Sequence, residues 1–342
     1  MEHQGRVRLR GQVSRLPTQP SQLTAAGTIE LADLARIPWV DLKFLEPWRL
    51  DGEVALQLRL SGSLTAWHTL SALGSIRADV ISLYGLPVRA LNAALEQEPD
   101  RLLIRLTHAT VAGGKVAGVY AIQHRPEPGR YRLELDAMTL DLAQLATSFP
   151  AWRGRRIEGT ASAHTSLTGF WKDRTTLQGE GWLHATGEHL GELPLLDRLF
   201  RGVLGALADR LGLATLRKAE LTTLAGQWRL AHERLATDDL RLTGVSGTDP
   251  VTITVRGSVG LDKTLDLVVE PEMSEQLLAQ ATTLSGALLK VVGGLERIRQ
   301  LVGRHRLLGT IDKPEYKFEF SLEQLLNQLL SSGFQQLLPP TR

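Results

Sequence analysis

The chain has no cysteine. That excludes disulfide staples, zinc sites of the cysteine type and thiol catalysis, and it leaves the compartment open. Aromatic residues make up 5% of the sequence, and Trp48, Trp152, Trp171 and Trp182 are scattered without a basic groove beside them. That pattern suits core or rim positions better than base stacking. Neither sign of charge dominates: 39 Lys and Arg stand against 37 Asp and Glu, for a formal net charge of +2. With no long like-charge block, the sequence argues against a nucleic-acid partner. Long apolar runs are missing too. The stretches 60–76 and 276–289 are diluted with Ser, Thr, Gly and Gln, so neither reads as a membrane-spanning helix.

What the sequence does have is alternation. Val54, Leu56, Leu58 and Leu60 oppose Gln57 and Arg59; Leu102, Ile104 and Leu106 oppose Arg101 and Arg105; Tyr131, Leu133 and Leu135 oppose Arg130, Arg132, Glu134 and Asp136. A period of two marks half-buried antiparallel strands. The pattern starts at Val7 and Leu9, returns at Leu240 and Leu242, Val251 to Val255 and Leu265 to Val269, and closes with Phe318 and Phe320. Pro128–Gly129 and Gly113–Gly114 supply turns. About sixteen such strands at about 4.8 Å spacing make a ribbon on the order of 75 Å long.

Helical spacing is confined to the second half. After a glycine-kinked strand through Gly179, Gly181 and His184, apolar residues fall at Leu193, Leu196, Leu199, Phe200, Val203, Leu204, Leu207 and Leu211. This is one buried face of a helix over 193–216 that needs a sheet to lie on. Further helical segments are expected over 273–302 and 321–338. In the last, Ser321 and Gln324 form a capping box, Leu322, Leu325, Leu326, Leu329 and Leu330 form one apolar stripe, and Pro339–Pro340 stops the helix. That stripe is expected either to cap the end of the sheet or to contact a membrane or partner.

A shift of 107 superposes Gly52 on Gly159, Gly62 on Gly169, Gly74 on Gly181 and Leu86–Pro87 on Leu193–Pro194. Four landmarks in one order point to an internal duplication and to a sheet that grows by adding units. The expected fold is mainly β: an elongated, curled antiparallel sheet forming a repetitive groove, with a few amphipathic helices mostly in the C-terminal half. The expected division is a repetitive strand region over 1–178, a second region over 179–320, and a terminal helix and tail over 321–342.

From Gly179 to Phe320, the Gly-x-Gly strand, the Leu193–Pro194–Leu195 helix start, the strands through 238–244, the VTITVRGSVGLDKTLDLVVEP run and the closing GTIDKP segment resemble the C-terminal region of AsmA-like proteins, the AsmA/TamB/YhdP group. The resemblance implies a phospholipid conduit anchored in the inner membrane and crossing the Gram-negative periplasm, acting in outer-membrane biogenesis through an apolar β-groove. It also implies a membrane anchor, expected outside these residues. On that expectation Val54, Leu56, Leu58, Leu60, Leu102, Ile104, Leu106, Tyr131, Leu133 and Leu135 are the candidate lipid-contacting residues, with phospholipid or another acyl-chain lipid as partner. The same alternation also suits an ordinary covered core. An envelope scaffold that docks partner proteins through sheet edges and helices stays open as the alternative.

Enzymatic signatures fail on inspection, and no catalytic residue, cofactor or metal is assigned. His184, Glu188 and His189 lack the His-Glu-x-x-His spacing of a helical zinc site. Ala109 and Val116 stand where a phosphate loop around Gly113–Gly114–Lys115 needs Gly and Ser or Thr, and His184 stands where a dinucleotide fingerprint from Gly179 needs Gly. No Gly-x-Ser-x-Gly elbow occurs. Asp238 and Asp239, adjacent on a strand, point to opposite faces and do not form a carboxylate pair.

Overall fold

A computed structural model describes residues 6–12, 21–31, 49–62, 71–123, 128–149, 152, 154–171, 173–190, 194–280 and 303–318. Its sixteen strands form one open antiparallel sheet in which hydrogen-bonded neighbours follow sequence order from first to last. They are β1 (Arg6–Gln12), β2 (Ser21–Glu30), β3 (Asp51–Gly62), β4 (Ser71–Leu83), β5 (Leu86–Glu98), β6 (Arg101–Val111), β7 (Gly114–Gln123), β8 (Arg130–Asp141), β9 (Thr160–Phe170), β10 (Asp173–Thr186), β11 (Glu220–Ala231), β12 (Arg234–Ser246), β13 (Asp249–Gly260), β14 (Thr264–Met273), β15 (His305–Thr310) and β16 (Pro314–Phe318). The helices with described bounds are α1 (Leu142–Ser148), α2 (Pro194–Leu211) and α3 (Glu275–Ala279), with a 3₁₀ turn at Ala214–Lys218. The terminal stripe Leu322, Leu325, Leu326, Leu329 and Leu330 lies outside the described residues, as do Trp48 and the side chains of Leu193, Leu196 and Leu199.

The chain divides into two compact units. One comprises Met1–Leu183 with Leu230–His232, the other His184–Arg229 with Glu233–Arg342. In the first unit, short hairpins set the register. Tyr84–Gly85 and Ala112–Gly113 turn with φ of 55° and 82°, and of 45° and 72°. Positive φ at both central residues matches the right-handed twist of the flanking strands. The turn expected at Gly113–Gly114 therefore sits one residue earlier, and Gly114 opens β7.

Bulges interrupt the alternation. Register shifts occur between Gly52 and Ala55 against β4, between Arg89 and Ala93 against β6, between Leu106 and Ala109 against β7, and between Ala137 and Leu140 against β9. An extra residue in one strand reverses the parity of everything beyond it. Hence Leu102, Ile104 and Leu106 of β6 are half-buried at even positions, whereas beyond the shift the buried residue is Ala109, at an odd one; Leu103, 8% exposed, is buried on the opposite face. Past this row lies the buried cluster of Val54, Ala78, Ile81, Val88 and Ala109.

In the second unit the helices cover the sheet. Pro194 occupies the first helical position of α2, where its missing N–H costs nothing. Gly212, at φ 70°, ends the helix, and the Leu213 amide donates to the Ala208 carbonyl at 3.1 Å. This is the left-handed glycine stop, and it ends the helix at Leu211 rather than at the expected Leu216. Phe200 is 1% exposed, and a Cβ added to Gly244 of β12 would lie 2.7 Å from its ring. Leu204, Leu207 and Leu211 are buried as deeply, as are Leu242, Ile253 and Leu267 on the strands. The helix expected from Met273 starts instead at Glu275. Met273 is the last residue of β14, and Ser274 caps α3 by accepting the Leu277 amide at 3.1 Å.

The 107-residue shift holds in part. Gly62 and Gly169 lie near the ends of β3 and β9, and Gly74 and Gly181 lie within β4 and β10. Leu86–Pro87 is strand β5, whereas Pro194 begins α2, so the last landmark joins unlike elements.

Candidate functional site

Directly opposed residues of an antiparallel pair share a face, so the printed registers can be followed from strand to strand. One row runs Val7, Gly27, Leu56, Ile76, Ala93, Leu106, Gly118, Leu135, Thr165. The next runs Leu9, Ala25, Leu58, Gly74, Leu95, Ile104, Tyr120, Leu133, Leu167, and the third Gly11, Leu23, Leu60, Ala72, Gln97, Leu102, Ile122, Tyr131, Gly169. Nine of the ten candidate residues fall in these three rows. Val54, the tenth, lies in the buried cluster at 4% exposure, with Leu56 and Leu106 packed against it. Sequence reasoning missed Ile76, Leu95, Tyr120 and Ile122 because glycine and alanine break their strands' alternation. Cross-strand register recovers them.

This face is neither core nor open surface. Leu56, Leu58, Leu60, Leu95, Leu102, Ile104, Leu133 and Leu135 are all half-buried, while Ala25, Ala93 and Ile122 of the same rows are buried; in the second unit Leu242, Ile253, Val255 and Leu267 fall to 2% exposure or less. The helix α1 begins beyond the bulge row, capped by Asp141, whose carboxylate accepts the amides of Ala143 at 2.9 Å and Gln144 at 3.2 Å. Sequence reasoning missed this helix; the signal that could have found it is Asp141 followed three residues later by Gln144.

Glycines in the rows are fixed by the neighbouring backbone rather than by turn geometry. A Cβ at Gly74 would sit 1.9 Å from the Gln57 carbonyl oxygen, and one at Gly118 would sit 2.4 Å from that of Glu134. The Tyr131 ring lies against Gly169, its hydroxyl 2.8 Å from where a Cβ would be, and meets Trp171 edge-on at 6.4 Å. Burial raises the Tyr120 hydroxyl above its ordinary pKa, with the neighbouring Tyr131 adding to the shift; burial alone raises Tyr131. Both phenols stay neutral on this face at ordinary pH.

The other face of the same strands is mixed. One row runs Arg8, Ala26, Gln57, Ser75, Ala94, Arg105, Val119, Glu134, and the next Arg10, Thr24, Arg59, Leu73, Glu96, Leu103, Ala121, Arg132, with Leu103 buried and Leu73 exposed. Arg132 pairs with Glu134, and His164 Nδ1 lies 2.7 Å from Asp136. In the second unit Asp239 accepts the Gln227 amide at 2.8 Å from within a β12 bulge, and Asp238 faces Arg229 at 3.8 Å. Trp152 stacks at a tilt on Phe149, and Trp182 is 37% exposed.

No protein-family model matches the chain, and no curated protein or solved structure matches it either.

Proposed function

We propose that the apolar face of β1 to β9 is a trough that holds acyl chains, and that the protein transfers phospholipid or another acyl-chain lipid in the cell envelope. The observation that carries this reading is the three-row apolar face, continuous over nine strands and left half-buried. Each methylene withdrawn from water contributes about 0.8 kcal/mol, so an acyl chain laid over the rows gains what the second unit gains from its own helices. The resemblance to AsmA-like proteins points the same way. It also supports a periplasmic setting with inner-membrane attachment, and a non-enzymatic role.

Extraction of lipid from the purified full chain, followed by mass spectrometry and a vesicle-to-vesicle transfer assay, tests the proposal. Bound acyl lipid together with accelerated transfer is the expected result. A chain that carries no lipid and leaves transfer at its spontaneous rate overturns it.

A scaffold role is favoured by a different observation. Strands β1 and β16 end the sheet with one hydrogen-bonded neighbour each among the described residues, and such edges recruit added strands. Stable protein complexes free of lipid are the outcome that selects it.

A further inference from the structure

The face of the first unit turned away from the apolar rows carries a patch of its own on β8, β9 and β10. In one row Asp136 stands opposite His164, and in the next Glu134 stands opposite Ser166. Strand β10 is hydrogen-bonded to β9, and two contacts fix its register. A Cβ added to Gly179 would meet the Leu167 side chain at 2.4 Å, so these two share the face of the apolar rows, and the Phe170 amide donates to Thr176 Oγ1 at 2.9 Å. Stepping in opposite directions along antiparallel strands then sets Glu180 beside Ser166 and Trp182 beside His164. The exposure of β10 agrees. Gln178, Glu180 and Trp182 are exposed, whereas Leu177, Gly179, Gly181 and Leu183 between them are half-buried.

An indole on this face serves no packing that its exposure would reflect. Among the described residues Trp182 and Glu180 make no hydrogen bond or ion pair, and their neighbours on β9 are short, with Ser162 and Ser166 on either side of His164 on the same face. The indole is therefore reachable. His164 is held through Nδ1 against Asp136 at 2.7 Å, which leaves Nε2 as the ring nitrogen that can meet a ligand. The patch offers an apolar plane ringed by an indole N–H, a carboxylate, an imidazole nitrogen and a hydroxyl. Charge narrows what fits it. Arg132 pairs with Glu134 and His164 with Asp136, so the group left over is the Glu180 carboxylate, which disfavours an anion. A pyranose suits the rest: the C–H groups of its ring face lie on the indole, and its neighbouring hydroxyls donate to the two carboxylate oxygens. Adjacent strands stand about 4.8 Å apart, close to the length of one sugar unit, so a glycan laid across the strands sets successive rings over β10, β9 and β8.

We infer that Asp136, His164, Ser166, Glu180 and Trp182 form a platform that binds a neutral polysaccharide, on the side of the sheet opposite the proposed lipid trough. The two faces can be occupied at once. The platform does not rest on the trough reading and stands even if the chain carries no lipid.

Titration calorimetry on the full chain tests this with chitotetraose, cellotetraose and maltotetraose, and with tetralysine as a cationic probe. At least one tetrasaccharide is expected to bind, and more tightly than tetralysine. Trp182→Ala, which removes the plane, and Ser166→Arg, which overhangs it, are each expected to weaken that binding at least about tenfold with an unaltered melting temperature. Glu180→Gln keeps an acceptor and is expected to weaken it about threefold or less. If Trp182→Ala lowers the melting temperature, Ser166→Arg decides alone. No binding of any of the three sugars at millimolar concentration overturns the platform, as does sugar affinity unchanged in the deciding variant. Tetralysine held more tightly than every sugar also overturns it, and its loss in Glu180→Gln would mark a site for a basic peptide instead.

Discussion

Two kinds of residue on the apolar face behave differently from their neighbours. Tyr120 and Tyr131 ionise above the ordinary tyrosine value of 10.0 in the folded chain, so the folded state holds their protons when the unfolded state has released them. Stability from this source is complete below about pH 10 and is lost as pH rises through the folded values. Chemical denaturation at a series of alkaline pH values is expected to show this decline, and the double Tyr→Phe variant is expected to flatten it. Gly74 answers to sterics. With a Cβ 1.9 Å from the Gln57 carbonyl, Gly74→Ala forces β3 and β4 apart at a cost of roughly 1–3 kcal/mol or more, which urea unfolding would register. Such glycines look in sequence like turn or kink signals. Their actual reason, the close approach of the paired strand's backbone, has no signature in the residues around them.

At the scale of elements, the two units contrast in how the apolar face is closed. Leu58→Asp and Ile104→Asp are expected to abolish lipid loading, with a change in unfolding free energy under about 1 kcal/mol, because a half-wet face tolerates a charge. Leu242→Asp, at a position with 0% exposure, is expected to cost several kcal/mol for an unpaired buried charge. Loss of stability of the same size at Leu58 would identify that face as ordinary core. Helix α2 offers a sharper pair. Gly205 has no neighbour within 4 Å of an added Cβ, whereas Gly202 would meet the Tyr316 hydroxyl at 2.1 Å. Gly205→Ala is expected to stabilise by about 0.5–1 kcal/mol through helix propensity, and thermal melting of Gly202→Ala should fall below it. The strands themselves were legible from alternation alone, since Val54 to Leu60, Leu102 to Leu106 and Tyr131 to Leu135 each keep one parity. Bulges were not legible. At Thr107 and His108 the parity changes without glycine or proline to announce it, and Thr107 instead donates its hydroxyl to the Asn92 carbonyl at 2.8 Å. The end of α2 was readable from Gly212, and the start of α1 from Asp141 and Gln144, once cap chemistry is weighed against apolar spacing.

For the molecule as a whole, the ordering of strands has a kinetic meaning. Every strand pairs with its neighbours in sequence, so most additions close only a short loop, the longest connections being 187–219 and 274–304, and the chain can build most of its ladder hairpin by hairpin without waiting for distant segments to meet. Stability then accumulates as a sum of neighbour terms, and unfolding need not be all-or-none. Hydrogen exchange read strand by strand is expected to show graded protection, highest on the strands buried beneath α2 and lowest towards β1. A single protection level throughout would mean that the ladder melts as one cooperative block. Graded protection means that the strands proposed to carry lipid can open without unfolding the helix-covered strands, so a nascent chain could secure its most protected part last, after its least protected strands had already left the ribosome.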